Sequence, residues 1–508
     1  MRERALLMCF LLFTAALSGC FGNEEITQVE DDLPLEVHAF VTGPDGLPVD
    51  VPLLPFEFNF SDVGEDGPEP SIGVTSSGCI FFIALEKVMR SCDFGQTWEE
   101  VQGPECSPTT SDPYGWVDPI TDRIFGVQMI GLETSWICWS DDDGETWQGN
   151  PHDSGTTPLN DHIKLATGPW TEAGLANWYG TIGQVTSSVI YETAVYYCYN
   201  KLAGIFCFTS FDGGASFWAG GQIVGLATTN GGLHGAISTA PDGTVYVTPR
   251  VATPTVIVSK DNGYSWFERT MGEDIGTPYP RKNSEVAADT DSNAYHVWTG
   301  PGGTDGEGAY HGEGIFMSRS TDSGETWEQD SIRISPVEVV SYAFPQIDAG
   351  DPGRIAVMYL GSENASELGQ SNLDGSPWDG NAHYANSNVS YHLYVTYSLN
   401  ALDESPVFHT IRVTDDPVQV GSICLNSGDC RDIGGSNRNL LDFNDLHIDR
   451  DGRVYMAFTD GCFGDCAVKD NPQPEDSRSR RGVMCYMTSG PSLYADVGDL
   501  PNPNSNLN

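Results

Sequence analysis

The eight residues Ser320-Thr321-Asp322-Ser323-Gly324-Glu325-Thr326-Trp327 return in altered copies along the chain, and a repeat of this kind restricts the fold more than any other feature of the sequence. The matching sets are Ser91/Asp93/Gly95/Thr97/Trp98, Ser140/Asp142/Gly144/Thr146/Trp147, Ser210/Asp212/Gly214/Ser216/Phe217 and Ser259/Asp261/Gly263/Ser265/Trp266. Each follows a strand-like run, such as Thr255-Val256-Ile257-Val258-Ser259, so the repeated unit is a tight turn between two strands. The residue types suit that turn. Asp accepts backbone N–H groups, Gly supplies a left-handed backbone angle, and the aromatic buries about 150–250 Å² against the sheet.

Between these turns lies a second recurring unit, a hairpin built on Asp-Gly or Pro-Gly, as at residues 236–247, 347–359 and 446–458. With the strands flanking each repeated turn, the unit has four strands. In this pattern the chain resembles the Asp-box (bacterial neuraminidase repeat, BNR) family of β-propellers in the sialidase-like superfamily, which includes sialidases, other glycoside hydrolases and non-catalytic binding propellers. The resemblance implies an all-β fold in which the turns at Asp93, Asp142, Asp212, Asp261 and Asp322 are structural and lie on the face away from any site. Units near residues 66–101, 110–149, 160–220, 231–270, 281–330, 340–413 and 438–490 count as seven blades, with six the alternative. The sixth carries only a degenerate turn at Ser398 and Asn400, and the seventh ends after its third strand. Residues 54–60 alternate aromatic and polar side chains, and either supply the missing strand and close the ring or form an extended linker.

Arg2, Arg4 and the apolar run 5–17 before Leu17-Ser18-Gly19-Cys20 read as an export signal ending in a lipobox, with an ordinary signal and an incidental cysteine as the alternative. The expected organisation is a leader over 1–19, an acidic flexible tether over 20–52, a propeller over 53–490 and a disordered tail over 491–508. The protein is then exported and held at the cell surface by lipidated Cys20, touching the membrane through that anchor only. The net charge of −47, from 71 acidic and 24 basic residues, excludes nucleic acid as a partner. A monomer is expected. Of thirteen cysteines, Cys9 leaves with the leader and Cys20 carries the anchor. In an oxidising compartment the spacing pairs Cys198 with Cys207, Cys424 with Cys430, Cys462 with Cys466 and Cys79 with Cys92. Cys106 with Cys138 is a further pairing, and Cys485 is left over; Cys462, Cys466 and Cys485 as zinc ligands is the competing reading.

Four enlarged loops, at about 300–313, 361–388, 414–437 and 460–481, fall on the face opposite the repeated turns, where long loops on a rigid scaffold line a binding site. First strands begin on that rim with Glu69, Asp161, His162, His234, Glu285, Tyr342 and Asp442, and second strands end there with Arg250, Trp298, Tyr359 and Asp460. Arg250, Arg281 and Lys282 either hold an anionic group or neutralise neighbouring acids. Trp298 and Tyr359 are candidates for stacking on sugars. The resemblance to sialidases implies three clamp arginines, a Tyr nucleophile paired with Glu, and an Asp acid/base. Here Arg250 fits a clamp position, His234 stands where the Glu belongs, Tyr342 fits the nucleophile only with a one-residue shift, and the Phe/Tyr-Arg-Ile-Pro motif is absent.

Carboxylate-pair hydrolysis could draw on Asp161, Glu285, Asp442, Asp445 or Asp460. Asp289/Asp291 and Asp449/Asp451 read as acidic hairpin turns, with Ca²⁺ loops the alternative, and no cofactor is expected. The Asn364 and Asn388 sequons are glycosylation acceptors in a competent host. The function expected is recognition of a glycan or surface polysaccharide. An exo-glycosidase and a protein-interaction scaffold are the alternatives.

Overall fold

The repeated turns share one hydrogen-bond pattern. In the fifth copy Ser320 Oγ donates to Asp322 Oδ1 at 2.8 Å and accepts the Gly324 N–H at 2.8 Å, while Asp322 takes the Thr326 N–H at 2.8 Å and the Thr326 hydroxyl at 2.6 Å. The other four copies repeat it. Two successive left-handed residues turn the chain, Ser323 at φ 54° and Gly324 at φ 81°. A Cβ on Gly324 would lie 2.7 Å from Tyr246 Cε1, so strain and space both demand glycine there. The degenerate copy keeps part of the pattern, with Asn400 Oδ1 accepting from Ser398 Oγ at 3.3 Å and from the Val407 N–H at 3.0 Å. The turn aromatics pack inward: Trp147 and Trp327 are buried, and Trp98, Phe217 and Trp266 are half-buried against neighbouring sheets.

The computed structural model describes residues 38–102, 111–153, 160–182, 190–201, 204–225, 234–276, 284–302, 312–363, 387–425, 430 and 437–503. The chain divides into Met1–Val37, outside the described residues, and His38–Asn508. In the second unit seven antiparallel sheets form the blades of a β-propeller. Their inner strands are Ser71–Val74, Ser111–Val117, Asp161–Gly168, His234–Thr239, Glu285–Ala288, Val339–Ala349 and Asp445–Ile448, and each touches the next in a closed ring. Blade three is long because a helix, Glu172–Ile182, fills its first connection; Trp178 Nε1 donates to Asn262 O at 2.9 Å on the neighbouring repeated turn.

Ring closure comes from the N-terminal side. Glu57–Asp66 pairs with Arg481–Pro491, placing Phe60 opposite Cys485, and Phe56, Phe58 and Phe60 pack on the cluster shared by blades six and seven. The extended-linker alternative is thereby excluded. Strands also reach past the expected limits of 53 and 490. Ala39–Thr42 pairs with Phe408–Arg412 at the outer edge of blade six, and Asp499–Leu500 pairs with the end of Arg481–Pro491. Both cover hydrogen-bonding groups that an exposed edge would leave open.

Four expected disulfides are present: Cys79–Cys92, Cys198–Cys207, Cys424–Cys430 and Cys462–Cys466. Cys198 lies directly across from Cys207 in neighbouring strands of blade three. With Cys462 and Cys466 bridged to each other, the zinc set with Cys485 is excluded; Cys485 is a buried free thiol. Cys138 is also disulfide-bonded, whereas Cys106 lies outside the described residues.

Candidate functional site at the mouth of the central axis

Inner strands face the axis, so their alternate residues meet there. Counted back three residues from the last pair of each first hairpin, Ser71, Tyr114, Ala236, Glu285, Gln346 and Asp445 stand at one height. In blade three the hairpin is one pair longer, and Lys164 takes the place one residue further back. These residues lace the blades together. Asp445 Oδ2 accepts the Ile72 N–H at 2.9 Å, Ser71 Oγ accepts the Gly115 N–H at 2.7 Å, and Glu285 takes the Ala236 N–H at 2.6 Å and Gln346 Nε2 at 3.2 Å. Lys164 Nζ sits 4.4 Å from the Tyr114 ring centroid and 3.2 Å from that of Phe443. Burial lowers the Lys164 pKa against the opposing pull of Glu285, Asp445, Glu69 and Asp112.

Two residues nearer the loop face the backbone is strained in four blades. Glu69, Asp112, His162 and Phe344 have φ of 55°, 47°, 55° and 56°, and register shifts mark the same place in blades two, three and six. A left-handed residue in a bulge re-aims its side chain, and such strain persists only where the surrounding fold fixes it. Asp112 Oδ2 accepts the His162 N–H at 3.0 Å, and the His162 ring stands edge-on to Phe443, 5.6 Å between centroids. Glu69 is 2 % exposed, and its Oε2 has no hydrogen-bond partner among the described residues. Burial raises its pKa well above the usual carboxylate range, helped by Asp112 and Asp442 and opposed by Arg438 and Lys164. Asp442 is ion-paired with Arg438. Leaving a buried oxygen unpaired costs about 1–3 kcal/mol, which marks Glu69 as a place where the fold serves something other than stability.

Lower in the channel Asp348 Oδ2 accepts the Ile448 N–H at 3.0 Å. Enclosure raises Asp348 and Asp445 to about 7, despite backbone donors to both. Asp460, at the end of its strand, is also raised to about 7 by burial and then by Asp416, while it accepts the Cys462 N–H.

Of the candidates from the sequence, the structure brings Glu69, His162, Glu285, Asp442 and Asp445 to the axis. Asp161 is half-buried at the start of its strand, opposite Asn200. Arg250 follows the second strand of blade four and is half-buried, and the His234 backbone opens the inner strand of that blade opposite Pro249. Arg281 and Lys282 lie outside the described residues.

The aromatic candidates are elsewhere. Trp298 is buried with His296 between blades four and five, and Tyr359 is buried against Tyr342 and Tyr394. Neither offers a ring face for stacking. Only inner strands see the axis; side chains of second strands enter the sheet faces, which other blades cover. Tyr342, on an inner strand, is turned aside by the bulge after it. It is buried, and its hydroxyl donates to Val339 O at 2.7 Å and Pro336 O at 3.1 Å.

Lys164, Asp112, Arg438, Tyr114 and Gln346 escaped the sequence reading. Their signal was the alternation within first strands, as in Asp112-x-Tyr114 and His162-x-Lys164, but axial facing becomes readable only once the inner strand of each blade is known. Asp289 and Asp449 serve their hairpins. Asp289 Oδ1 accepts the N–H groups of Asp291 and Asn293, and Asp449 Oδ1 those of Asp451 and Arg453. No cluster of three metal-ligating side chains occurs among the described residues.

No family model matches the chain, and no curated protein matches it. Solved structures similar in backbone course are propellers that include lectins and glycosidases. A protein of unknown function from Dyadobacter fermentans is 14% identical over 86% of this chain and 99% of its own, with a TM-score of 0.39. An ancestral GH74 enzyme is 14% identical over 84% of this chain and 47% of its own, with a TM-score of 0.43. The six-bladed fungal lectin from Aleuria aurantia, described with a fucose recognition mode, is 13% identical over 67% and 93%, with a TM-score of 0.36.

Proposed function

We propose that this chain is an exported, sialidase-like Asp-box propeller, anchored through Cys20, that recognises a glycan or surface polysaccharide at the loop-face end of its axis. The observation that carries this reading is Glu69: buried, conformationally strained and with one carboxyl oxygen unpaired, it lies within the electrostatic reach of Asp112, Asp442, Arg438 and Lys164. Acids and bases are gathered there in one cluster, and polar groups of both kinds are what recognition of a polyhydroxylated ring draws on. Recognition is favoured over sialidase-type cleavage because the hydroxyl of Tyr342 is committed to two backbone carbonyls and cannot act as a nucleophile where it stands. A second reading, an exo-glycosidase, draws on Glu69 and Asp442 sharing one cluster.

The test is to incubate the purified protein with a broad glycan panel and score retention and product release together, beside Glu69→Ala and Arg250→Ala variants. Retention without release, lost in Glu69→Ala, is the expected result. Release of a free sugar that Glu69→Ala abolishes would establish the exo-glycosidase instead. Absence of both would leave a protein-interaction scaffold.

A further inference from the structure

We infer that Phe463 is an aromatic platform on the loop face that stacks on the C–H face of one pyranose unit of the ligand, at a place separate from the axial cluster. Resting on the glycan-binding function proposed above, this names a contact residue for it and the way the sugar is recognised.

The ring is held out in solvent by its surroundings. Phe463 is 42 % exposed, while the cysteines that bracket it, Cys462 and Cys466, are buried and bridged to each other. Main-chain bonds fix the base of this small loop. Val418 O accepts the N–H groups of Gly461 at 2.8 Å and Cys462 at 2.9 Å, Gly461 O accepts the Ser479 N–H at 2.9 Å, and Cys466 O accepts the Lys469 N–H at 3.2 Å. Gly461 is packed so closely that a Cβ there would lie 2.1 Å from Gln419 Oε1. Little conformational freedom is left in the backbone beneath the ring, and a preorganised contact loses less entropy on binding. Arg481 donates through Nε and Nη2 to Asp62 at 2.6 and 3.0 Å, and its guanidinium carbon stands 5.5 Å from the ring centroid. Beside the ring, Gly464 is exposed, and a Cβ on it would meet nothing within 4 Å, so the tip of the loop is open to approach.

Position separates Phe463 from the other exposed rings. Among the described residues these are Tyr179, Trp218 and Tyr264. Tyr264 lies within a repeated turn, Trp218 directly follows one, and Tyr179 is on the helix that packs on the turn of blade four, so all three belong to the opposite face. Phe463 instead follows Val454–Asp460, a second strand, which ends on the loop face. It offers there the open ring that buried Trp298 and Tyr359 do not. A pyranose carries hydroxyls on its rim and C–H bonds on its face, and the negative face of a phenyl ring attracts such C–H groups. Asp465, exposed two residues along, and the Arg481 guanidinium supply polar groups around the ring for the hydroxyls. A protein partner would draw on apolar area alone, including Val468, which is 80 % exposed, and would not distinguish phenyl from leucine.

The experiment measures retention of the full-length protein on immobilised oligosaccharides of glucose, galactose, mannose or fucose, and on immobilised polyvinyl alcohol, which has hydroxyls but no ring. Wild type is compared with Phe463→Tyr, Phe463→Leu and Val468→Ser; all three changes are at exposed positions, and thermal melts check that each protein is folded. On the sugars that wild type retains, Phe463→Tyr should bind within about twofold of wild type, Phe463→Leu about fivefold to tenfold more weakly, and Val468→Ser as wild type does, with no retention on polyvinyl alcohol. Unchanged retention in Phe463→Leu, an equal loss in Val468→Ser, or retention on polyvinyl alcohol would overturn the inference while leaving glycan binding intact. If wild type retains no oligosaccharide, the glycan function itself fails and the inference with it.

Discussion

Phe60 stands directly opposite Cys485 in the outer strand pair of blade seven, joining a residue that precedes the first blade to one in the last. Its ring also meets Phe458 edge-on, with centroids 6.4 Å apart. This pairing is the closure of the ring, and the stability of the seven blades depends on it.

Phe60→Ala is accordingly expected to destabilise the protein by about 2 kcal/mol, less than a fully buried Phe because the side chain is half-buried. Glu57→Ala in the same strand is exposed and should change stability by less than about 0.5 kcal/mol. Urea unfolding of the two variants checks this; equal effects would mean that Phe60 contributes nothing to closure.

In the repeated turns, Gly324→Ala should cost more than Asp322→Ala. The first forces a left-handed alanine whose Cβ strikes buried Tyr246, for a cost of about 2–3 kcal/mol. The second removes hydrogen bonds that water can replace at an exposed position, about 1 kcal/mol. Thermal melts of both proteins should rank them in that order.

Cys485 should be unreactive toward a thiol reagent in the folded protein, since burial pushes its thiol well above the ordinary range. Denaturation without reductant should expose it, while Cys198 and Cys207 stay unlabelled in a peptide map. Replacing that pair with alanines should cost about 2–3 kcal/mol for so short a loop.

The contribution of Asp348 and Asp445 to stability should fall as pH rises from about 4 to 7 and level off above, while His296, His392 and His447, whose pKa values burial lowers, contribute with the opposite sign. Burial raises Asp348 and Asp445 to about 7, so the folded state holds protons that the unfolded chain, titrating near the usual value of about 4, has released. Their contribution is fully present below the unfolded value and is lost as pH passes the folded one. Asp445→Asn can keep an acceptor for the Ile72 N–H but does not titrate, so its unfolding free energy should fall less between pH 5 and pH 7.5 than that of wild type. An unchanged slope by chemical denaturation would show that Asp445 is not enclosed as described.

The sequence alone determined the repeating part of this protein. Each turn of the Ser320 type is stabilised by bonds among residues at most four apart, and each blade by hairpins between adjacent strands, so composition and spacing carried the fold class, the seven units, the closing strand and four disulfides. Only the tertiary structure decided the axis. Glu69, Asp112, Lys164 and Asp442 come from four separate places in the chain and are brought together as seven inner strands converge; Glu69 and Asp442 were legible as rim positions, but their grouping with Asp112 and Lys164 was not. Trp298 and Tyr359 were just as undecided in sequence: ends of second strands look like rim positions until neighbouring blades cover the sheet faces and bury both rings.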